Sequence, residues 1–369
     1  MGTLRTLFAL AVVFTHTSGH FLIGGKNAVQ LFYMISGFLI SYILVERKVY
    51  VDVKSFYINR YLRIFPIYAV IATLTFITFI ITSNFDSEVI FFKIYRESPW
   101  SANLLLLYSN ITLFMQDWVM FTGVDNNQLI FTTDFRNSQV VLYQGLLVPQ
   151  AWTLGVELSF YLIAPFILHN KRIIILLLAL SISIRILIFY IGLGYQDPWT
   201  YRFFPTELAF FLLGALAHQI ELPFYKRFLT KKNLAVVSMA ATYFLILFAI
   251  FYSFITINDI YKSLTLFAVF FLLMPLTFIF QSDRKWDKWI GDLSFTIYIS
   301  HVYIITLFNY TIKDQLAAGN LSIMGKLISI DKIVSEVVII LLSILIAVML
   351  NKFIGKPVET LRNNYRTLK

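Results

Sequence analysis

An arginine and a histidine in the first hydrophobic segment have a spacing that suits chemistry inside a membrane. Arg5 and His16 are eleven residues apart, which is about three turns of an α-helix at roughly 3.6 residues per turn. Both side chains therefore point to the same side of a helix, roughly 16 Å apart along its axis at about 1.5 Å per residue. An imidazole can act as a general base or as a nucleophile near neutral pH. Because ionisable groups are costly at this depth, His16 is a functional candidate.

Other ionisable residues are predicted to lie at similar depths in later hydrophobic segments. Glu157, His301 and Arg185 fall near the middle of three segments, whereas Arg202 and Glu207 begin another. Buried charges need partners, so we expect Glu157 to pair with a histidine or with Arg185. The alternatives are structural: a lone histidine can hydrogen-bond between helices, and Arg185 can extend its charge to the membrane surface or form a purely structural ion pair.

Two arginines separated by two residues stand where the third hydrophobic segment begins. Arg60 and Arg63 lie in the stretch FYINRYLRIFPIY. Guanidinium groups bind phosphate with paired hydrogen bonds, so this pair can hold an anionic cofactor at the mouth of the bundle. The alternative is that both charges only help to orient the helix in the membrane.

The composition is typical of a polytopic membrane protein. Of 369 residues, 59% are hydrophobic, 17% are aromatic and 14% are charged, and the mean hydropathy is +0.75. A soluble protein of this length would be far less apolar. The net charge of +10 is explained by basic cytoplasmic connections rather than by nucleic-acid binding. Since cysteine is absent, disulfides, thiolate metal sites and a thiol nucleophile are excluded for this sequence.

Ten apolar segments are long enough to cross roughly 30 Å of hydrocarbon. We therefore predict an all-α integral membrane protein: a bundle of about ten transmembrane helices in a single domain over 1–369, without an appended soluble domain. The stretch Asn103–Met115 is too short to span, which predicts an interfacial or re-entrant helix. The predicted spans are 5–23, 27–46, 62–83, 151–169, 172–193, 204–221, 234–255, 262–281, 290–311 and 332–353.

The distribution of basic residues predicts the orientation. With both termini in the cytoplasm, every inner connection is basic, as the positive-inside rule requires. The long loop 84–150 then lies outside. Its amides and aromatic rings suit a lid or the recognition of a sugar, although an ordinary connection is the alternative. The tail 351–369 is short and basic, which predicts roles in topology and in contact with anionic lipid.

Several of these stretches together resemble one family. Arg5 and His16 lie in LRTLFALAVVFTH, the arginine pair in FYINRYLRIFPIYA, and Glu157 in AWTLGVELSFYLIAPFIL. Further similar stretches are VQLFYMISGFLIS, YRFFPTELAFFLLGALAH and LSFTIYISHVYII. Along nearly the whole chain, these six stretches follow one another in the same order as in the acyltransferase-3 family of membrane O-acyltransferases, which they resemble and whose members modify surface polysaccharides and related carbohydrates. The sequence departs from many members at Leu158, where a second acidic residue would follow Glu157.

The resemblance implies a reaction at a bacterial plasma membrane. An acyl group, most often acetyl, would move from cytoplasmic acyl-coenzyme A to a hydroxyl of a surface or lipid-linked carbohydrate outside, without a metal. It implies that Arg5, Arg60 and Arg63 hold the cofactor's phosphates. His16 would act as a general base oriented by Glu157, or as an acyl-histidine relay. The residues expected to support the site or to contact the substrate are His301, Arg185, Arg202, Trp152 and Tyr161.

Two other classes of protein remain as alternatives. A transporter or flippase of a glycolipid or a small polar solute would use the same intramembrane charges as a pathway. The sequence contains no inverted repeat and no matching pair of broken helices, which weakens that interpretation. A purely structural or sensory protein leaves Arg5, His16 and the arginine pair unexplained. Dependence on acyl-coenzyme A separates the first interpretation from both.

Overall fold

The described part of the chain is mainly helical. The computed structural model describes residues 1–17, 19, 21–83, 89–282, 284–311, 320–323 and 326–366. The described helices are α1 (Gly2–Thr17), α2 (Gly25–Ser41), α3 (Val53–Ser83), α4 (Ile90–Glu97), α5 (Trp100–Thr112), α6 (Gln116–Val119), α7 (Trp152–Ile167), α8 (Lys171–Tyr190), α9 (Phe204–Leu216), α10 (Leu222–Phe228), α11 (Lys231–Phe251), α12 (Asp259–Gln281), α13 (Lys285–Thr311), α14 (Ile330–Leu350) and α15 (Lys356–Asn363).

Eight helical stretches of the described chain are long and apolar enough to cross a membrane. The first and fourth predicted spans correspond to α1 and α7, which have 16 residues each and fall short of the roughly 20 residues that a membrane-spanning helix usually needs. A mainly helical architecture with membrane-spanning helices is confirmed, whereas the number ten and the cytoplasmic termini stay predictions. The eight stretches are Gly25–Glu46, Val53–Ser83, Lys171–Tyr190, Phe204–Phe228, Lys231–Phe254, Asp259–Gln281, Lys285–Phe308 and Val334–Asn363.

Helix α3 begins well before its predicted membrane span. The Asp52 carboxylate accepts a hydrogen bond from the backbone N–H of Ser55 at 2.6 Å, which satisfies one of the free donors at the start of a helix. Helix α3 therefore begins at Val53 in a polar stretch that hydropathy alone does not assign to a span. As a result, Arg60 and Arg63 lie inside a continuous helix.

The described chain divides into two compact units. The first consists of Met1–Phe32 and Ala217–Lys356. Within it, α1 packs on α13, α11 on α12, and α13 on α14. The Asp287 carboxylate of α13 accepts the backbone N–H of Gly2 at 2.6 Å and that of Thr3 at 2.8 Å. This contact satisfies donors at the start of α1 and keeps the two helices aligned.

The second unit consists of Tyr33–Leu216 and Pro357–Lys369. Within it, α7 packs on α3 and on α9, and α8 packs on α9. Helices α2 and α9 approach closely at two glycines. A Cβ atom would lie 1.9 Å from a backbone oxygen of the other helix at Gly37 and also at Gly214. Only glycine therefore fits at these two positions, as is common where membrane helices cross tightly.

The long loop of the second unit is folded rather than extended. It contains α4, α5, α6 and an antiparallel hairpin of β1 (Thr122–Asp125) and β2 (Gln128–Phe131). The two turn residues, Asn126 and Asn127, have φ angles of 49° and 58°, which asparagine tolerates in this kind of turn. The short helix predicted over Asn103–Met115 is present as α5, but sequence analysis missed the hairpin. The loop residues 84–88 and the tail residues 367–369 lie outside the described residues.

In the first unit, β3 (Asn320–Ile323) pairs with β4 (Lys326–Ser329).

Candidate functional site

In the first unit, the packing of α1 on α13 brings two histidines together. The ring centroids of His16 and His301 are 4.9 Å apart, and the ring planes meet at 71°. His16 is exposed, whereas His301 is completely buried. Arg5 is half-buried near the start of the same continuous helix as His16. The unit therefore presents one accessible imidazole with a second, buried imidazole against its ring.

The hydrogen bonds of the two rings define their neutral tautomers. Nδ1 of His16 lies 3.1 Å from the carbonyl oxygen of Val12, and Nδ1 of His301 is hydrogen-bonded to the carbonyl of Tyr298. A carbonyl only accepts, so Nδ1 carries the proton in both neutral rings. Each Nε2 then offers a lone pair. The Nε2 atom of His301 is buried and has no hydrogen-bond partner among the described residues. An unprotonated Nε2 is the form that a general base or a nucleophile requires.

In the second unit, Glu157 is held by two hydroxyl groups. Ser36 on α2 donates a hydrogen bond to its Oε1 atom at 2.7 Å. Tyr161, one turn further along α7, donates a second hydrogen bond to the same oxygen. Glu157 itself is only partly buried. The sequence pattern predicted Glu157 and Tyr161 as site residues, and the structure places them in direct contact.

Arg60 belongs to a buried chain of hydrogen bonds on α3. Its Nη2 atom donates to the Tyr50 hydroxyl at 2.8 Å, and that hydroxyl donates to Oδ1 of Asn59 at 3.0 Å. The guanidinium also lies 5.9 Å from the centroid of the Phe56 ring. Phe56 in turn packs against Tyr161, with ring centroids 6.1 Å apart. Packing contacts through Phe56 and Tyr161 therefore connect Arg60 to Glu157.

A cavity opens beside Arg60 in the same unit. Its volume is about 530 Å³, within the usual range for small-molecule sites of roughly 300–1,000 Å³. Arg63, the second arginine of the pair, lies one turn further on α3, is half-buried and does not line this cavity. The lining residues are Tyr42, Ile43, Arg47, Val49, Tyr50, Arg60, Asn363 and Arg366.

Arg185 pairs with Glu207 rather than with Glu157. Nη2 of Arg185 donates to Oε1 of Glu207 at 2.7 Å and to the carbonyl oxygen of Thr206 at 2.9 Å. The Glu207 side chain has no exposed surface, and that of Arg185 is 22% exposed. The expected pairing of Glu157 with Arg185 is therefore wrong, because Arg185 on α8 lies against the first turn of α9. Arg185 instead forms a structural ion pair with Glu207.

Arg202 lies in an aromatic and acidic cluster before α9. Its Nε and Nη2 atoms donate to the two oxygens of Asp197 at 2.6 Å and 3.0 Å. Its guanidinium lies over the ring of Trp152, 4.3 Å from the centroid, and Arg136 also contacts Asp197 at 2.8 Å. Two of the expected supporting residues, Arg202 and Trp152, are thus in contact. The cluster fixes the start of α7 against the segment that precedes α9.

Sequence analysis did not single out Asp117, a buried acidic residue that contacts α7. Its side chain is nearly inaccessible, and a Cβ atom on Gly155 would lie 2.5 Å from its Oδ1. Burial raises the pKa of this carboxyl to about 7, while hydrogen bonds from its own N–H and that of Trp118 act in the opposite direction. Nothing in the surrounding stretch FMQDWVMF distinguishes this acid from an exposed loop residue.

The predicted site residues are thus divided between the two units. Arg5, His16 and His301 belong to the first, and all the others belong to the second. Among the described residues, His16 contacts His301, Glu157 contacts Tyr161, and Arg202 contacts Trp152. Sequence reasoning missed Ser36, Arg47, Tyr50, Asn59 and Arg366 as members of these sites.

Comparison with known proteins identifies the family. A family model described as "Acyltransferase domain", of the acyltransferase-3 type, matches residues 2–352. The chain belongs to this family. The resemblance seen in the hydrophobic segments is confirmed, and the family is one of transferases. No solved structure matches the chain.

Two curated relatives of this acyltransferase-3 chain are named as O-acetyltransferases. Peptidoglycan O-acetyltransferase OatA of Listeria monocytogenes is 24% identical over 332 residues, covering 82% of this chain and 49% of the relative. O-acetyltransferase OatA of Staphylococcus aureus is 25% identical over 351 residues, covering 85% of this chain and 51% of the relative. The chain therefore spans about half the length of the curated relatives that it matches.

Proposed function

We propose that this chain is the acyl-transfer domain of a membrane O-acyltransferase. It moves an acyl group, acetyl by analogy with the names of its relatives, from cytoplasmic acyl-coenzyme A to a hydroxyl of a cell-envelope carbohydrate. The observation that carries the proposal is the contact between His16 and His301. In both rings Nδ1 is hydrogen-bonded to a backbone carbonyl oxygen, so that Nε2 is the unprotonated nitrogen of the neutral imidazole. Family membership supports the same reaction. The transporter alternative has no comparable observation in its favour.

In the proposed reaction, His16 acts as the general base. Its Nε2 removes the proton from the acceptor hydroxyl, whose oxygen attacks the thioester carbonyl and forms the new C–O bond. The C–S bond then breaks, and the imidazolium returns the proton to the departing sulfur. The Val12 carbonyl oxygen keeps the proton on Nδ1 throughout, as the hydrogen-bond partner of the other ring nitrogen does in other histidine bases. Positioned proton transfer of this kind contributes roughly 10²–10⁴-fold to a rate.

An acyl-histidine relay is the competing mechanism for the same residue. There, His16 Nε2 attacks the thioester and carries the acyl group before the hydroxyl displaces it. The two mechanisms differ in an observable way, since only the relay leaves label on the protein. Glu157 is proposed as the second catalytic candidate, because the hydroxyl groups of Ser36 and Tyr161 both donate to its Oε1 atom and hold the carboxylate in position.

The proposal is tested with the full chain in nanodiscs and acetyl-coenzyme A carrying a radiolabelled acetyl group. We expect His16→Ala to bind the donor like wild type and to lose transfer by about 10²-fold or more. The matched control is His169→Ala, because His169 is exposed and also has Nδ1 on the carbonyl of the preceding turn, at 3.1 Å. Transfer is also measured in cells as base-labile acetyl esters on isolated envelope glycan. Normal esterification by His16→Ala would overturn the proposal.

A further inference from the structure

The segment after Pro357 is locked onto α3 by a buried network. Nε of Arg362 donates to the carbonyl oxygen of Asn59 at 3.1 Å, and Nη2 donates to Oδ1 of Asn59 at 3.2 Å. Asn59 in turn donates from Nδ2 to the carbonyl oxygen of Arg362 at 2.8 Å. Asn59 has no exposed surface, and Arg362 is nearly inaccessible. The C-terminal segment is therefore built into the second unit rather than attached to its surface.

The same network holds Arg60 in place without neutralising its charge. The Tyr50 hydroxyl gives its proton to Asn59 and accepts the hydrogen bond from Arg60. Arg60 is only 7% exposed, and its buried Nε atom has no hydrogen-bond partner among the described residues. A buried donor without an acceptor is costly. An anionic ligand beside Arg60 would supply the missing acceptor.

The cavity beside Arg60 has the charge that such a ligand requires. Arg47 lies in the connection between α2 and α3, Arg60 lies on α3, and Arg366 belongs to the C-terminal segment, so three separate parts of the chain each contribute one guanidinium. Among the residues that the structure describes, those lining the cavity include no carboxylate. Nη1 of Arg366 is positioned by a hydrogen bond of 3.0 Å to Oδ1 of Asn363. Three arginines around one cavity suit a ligand with several phosphate oxygens.

We propose that Arg47 and Arg366 complete a phosphate site with Arg60, and that the C-terminal segment forms one wall of the acyl-donor site. The ligand class is a nucleotide thioester, whose 3′-phosphate and diphosphate match three guanidinium groups. This inference rests on the proposed function. An anionic lipid headgroup has the same phosphate chemistry, so the test separates the two sources.

The test uses the full chain in nanodiscs of phosphatidylcholine, a lipid without net charge. Binding of acetyl-coenzyme A and of its 3′-dephospho form is measured by equilibrium dialysis. Wild type is expected to prefer the 3′-phosphorylated form. Arg366→Ala is expected to weaken binding of acetyl-coenzyme A about tenfold or more and to reduce that preference, while Arg366→Lys restores part of the affinity because it keeps the charge.

Two further variants supply a control and an independent check of the cavity. Arg172→Ala is the matched control, because Arg172 is an exposed arginine of the same unit at the start of α8, and we expect it to bind like wild type. Arg47→Ala alters a different segment of the same cavity and is expected to weaken binding as Arg366→Ala does, so misfolding of one variant does not decide the result. A thermal unfolding curve for each protein shows that the unit is folded.

Each outcome has one meaning. Wild-type binding that neither Arg47→Ala nor Arg366→Ala weakens overturns this inference and leaves the proposed function intact. No binding of acetyl-coenzyme A by wild type contradicts the donor assigned in the proposed function. If both variants bind acetyl-coenzyme A normally but lose co-purified phosphatidylglycerol when prepared from discs that contain it, the cavity is a lipid site and the inference is wrong.

Discussion

Asp117 shows how a single buried carboxyl makes stability depend on pH. Its pKa is raised from 3.8 to about 7 by burial, so the folded chain holds its proton over a range in which the unfolded chain releases it. The unfolded state therefore binds fewer protons between about pH 4 and pH 7, and the contribution of this group to stability falls as pH rises through that range. Above pH 7 both states carry the charge, which is buried in the folded chain, and the loss of stability caused by Asp117 no longer grows with pH.

Replacing Asp117 with Asn should remove this penalty. The amide oxygen of Asn can accept the same backbone N–H groups without ionising. We expect Asp117→Asn to unfold at a higher temperature than wild type, with a difference in unfolding temperature that widens between about pH 5 and pH 7 and stays level above that. Unfolding temperatures of the purified protein in detergent measure the effect.

The control for this prediction is Glu97→Gln in the same loop region. Glu97 is 47% exposed, so its replacement should not change how the unfolding temperature varies with pH. A constant difference between Asp117→Asn and wild type across the range would show that Asp117 is already ionised when folded, and the raised pKa would be wrong.

At the residue scale, the sequence singles out candidate functional groups but does not reveal the partners that these groups have in the structure. His16, Glu157 and the arginine pair are recognisable because charged groups are rare in apolar segments. The partner of Arg185 was predicted wrongly, since similar depth does not determine which helices are neighbours. Ser36 and Tyr50 were missed because a hydroxyl in a hydrophobic segment carries no signal until packing brings it to a carboxylate or a guanidinium.

At the scale of elements, the ion pair between Arg185 and Glu207 fastens α8 to α9. The two ends differ in accessibility, because Glu207 is fully enclosed and Arg185 is 22% exposed. Removing one partner of a buried pair typically costs about 3–5 kcal/mol. We expect Arg185→Leu to destabilise the protein more than Glu207→Gln, since an enclosed carboxylate that loses its cation cannot reach water, whereas the arginine can extend outward.

The double variant Arg185→Leu/Glu207→Leu tests whether charge or packing holds these helices. Replacing both charges with apolar side chains should recover much of the stability lost in Arg185→Leu, because no isolated charge remains. Chemical or thermal unfolding of wild type, Arg185→Leu, Glu207→Leu and the double variant in one detergent gives the comparison. A double variant as unstable as the sum of the two single variants would show that the pair acts as two independent contacts.

Element boundaries were predictable where hydropathy determines them and not elsewhere. The apolar part of α3 was placed correctly, but its start depends on the cap between Asp52 and Ser55, which a hydropathy pattern does not register. The hairpin of β1 and β2 has its signal in the pair Asn126–Asn127, yet its strands are too short to stand out. The tail was interpreted as a topological signal, because its basic composition does not reveal that Arg362 and Asn59 bind each other.

At the scale of the whole molecule, the proposed reaction requires a defined orientation across the membrane. The donor is made in the cytoplasm, so the cavity lined by Arg60 and Arg366 must open to that side. The alternation of basic connections predicts this orientation. The same alternation places the hairpin of β1 and β2 on the outside.

The absence of cysteine from the sequence makes this orientation directly measurable by labelling single cysteines. Gln128 and Asn364 belong to the same unit, and both are exposed. We expect Gln128→Cys to react with a membrane-impermeant maleimide in intact spheroplasts, and Asn364→Cys to react only after permeabilisation. Wild type, which has no thiol, is the blank. The reverse pattern would place the arginine cavity outside, where no acyl-coenzyme A is available, and would contradict the assigned donor even if His16 remained essential for transfer.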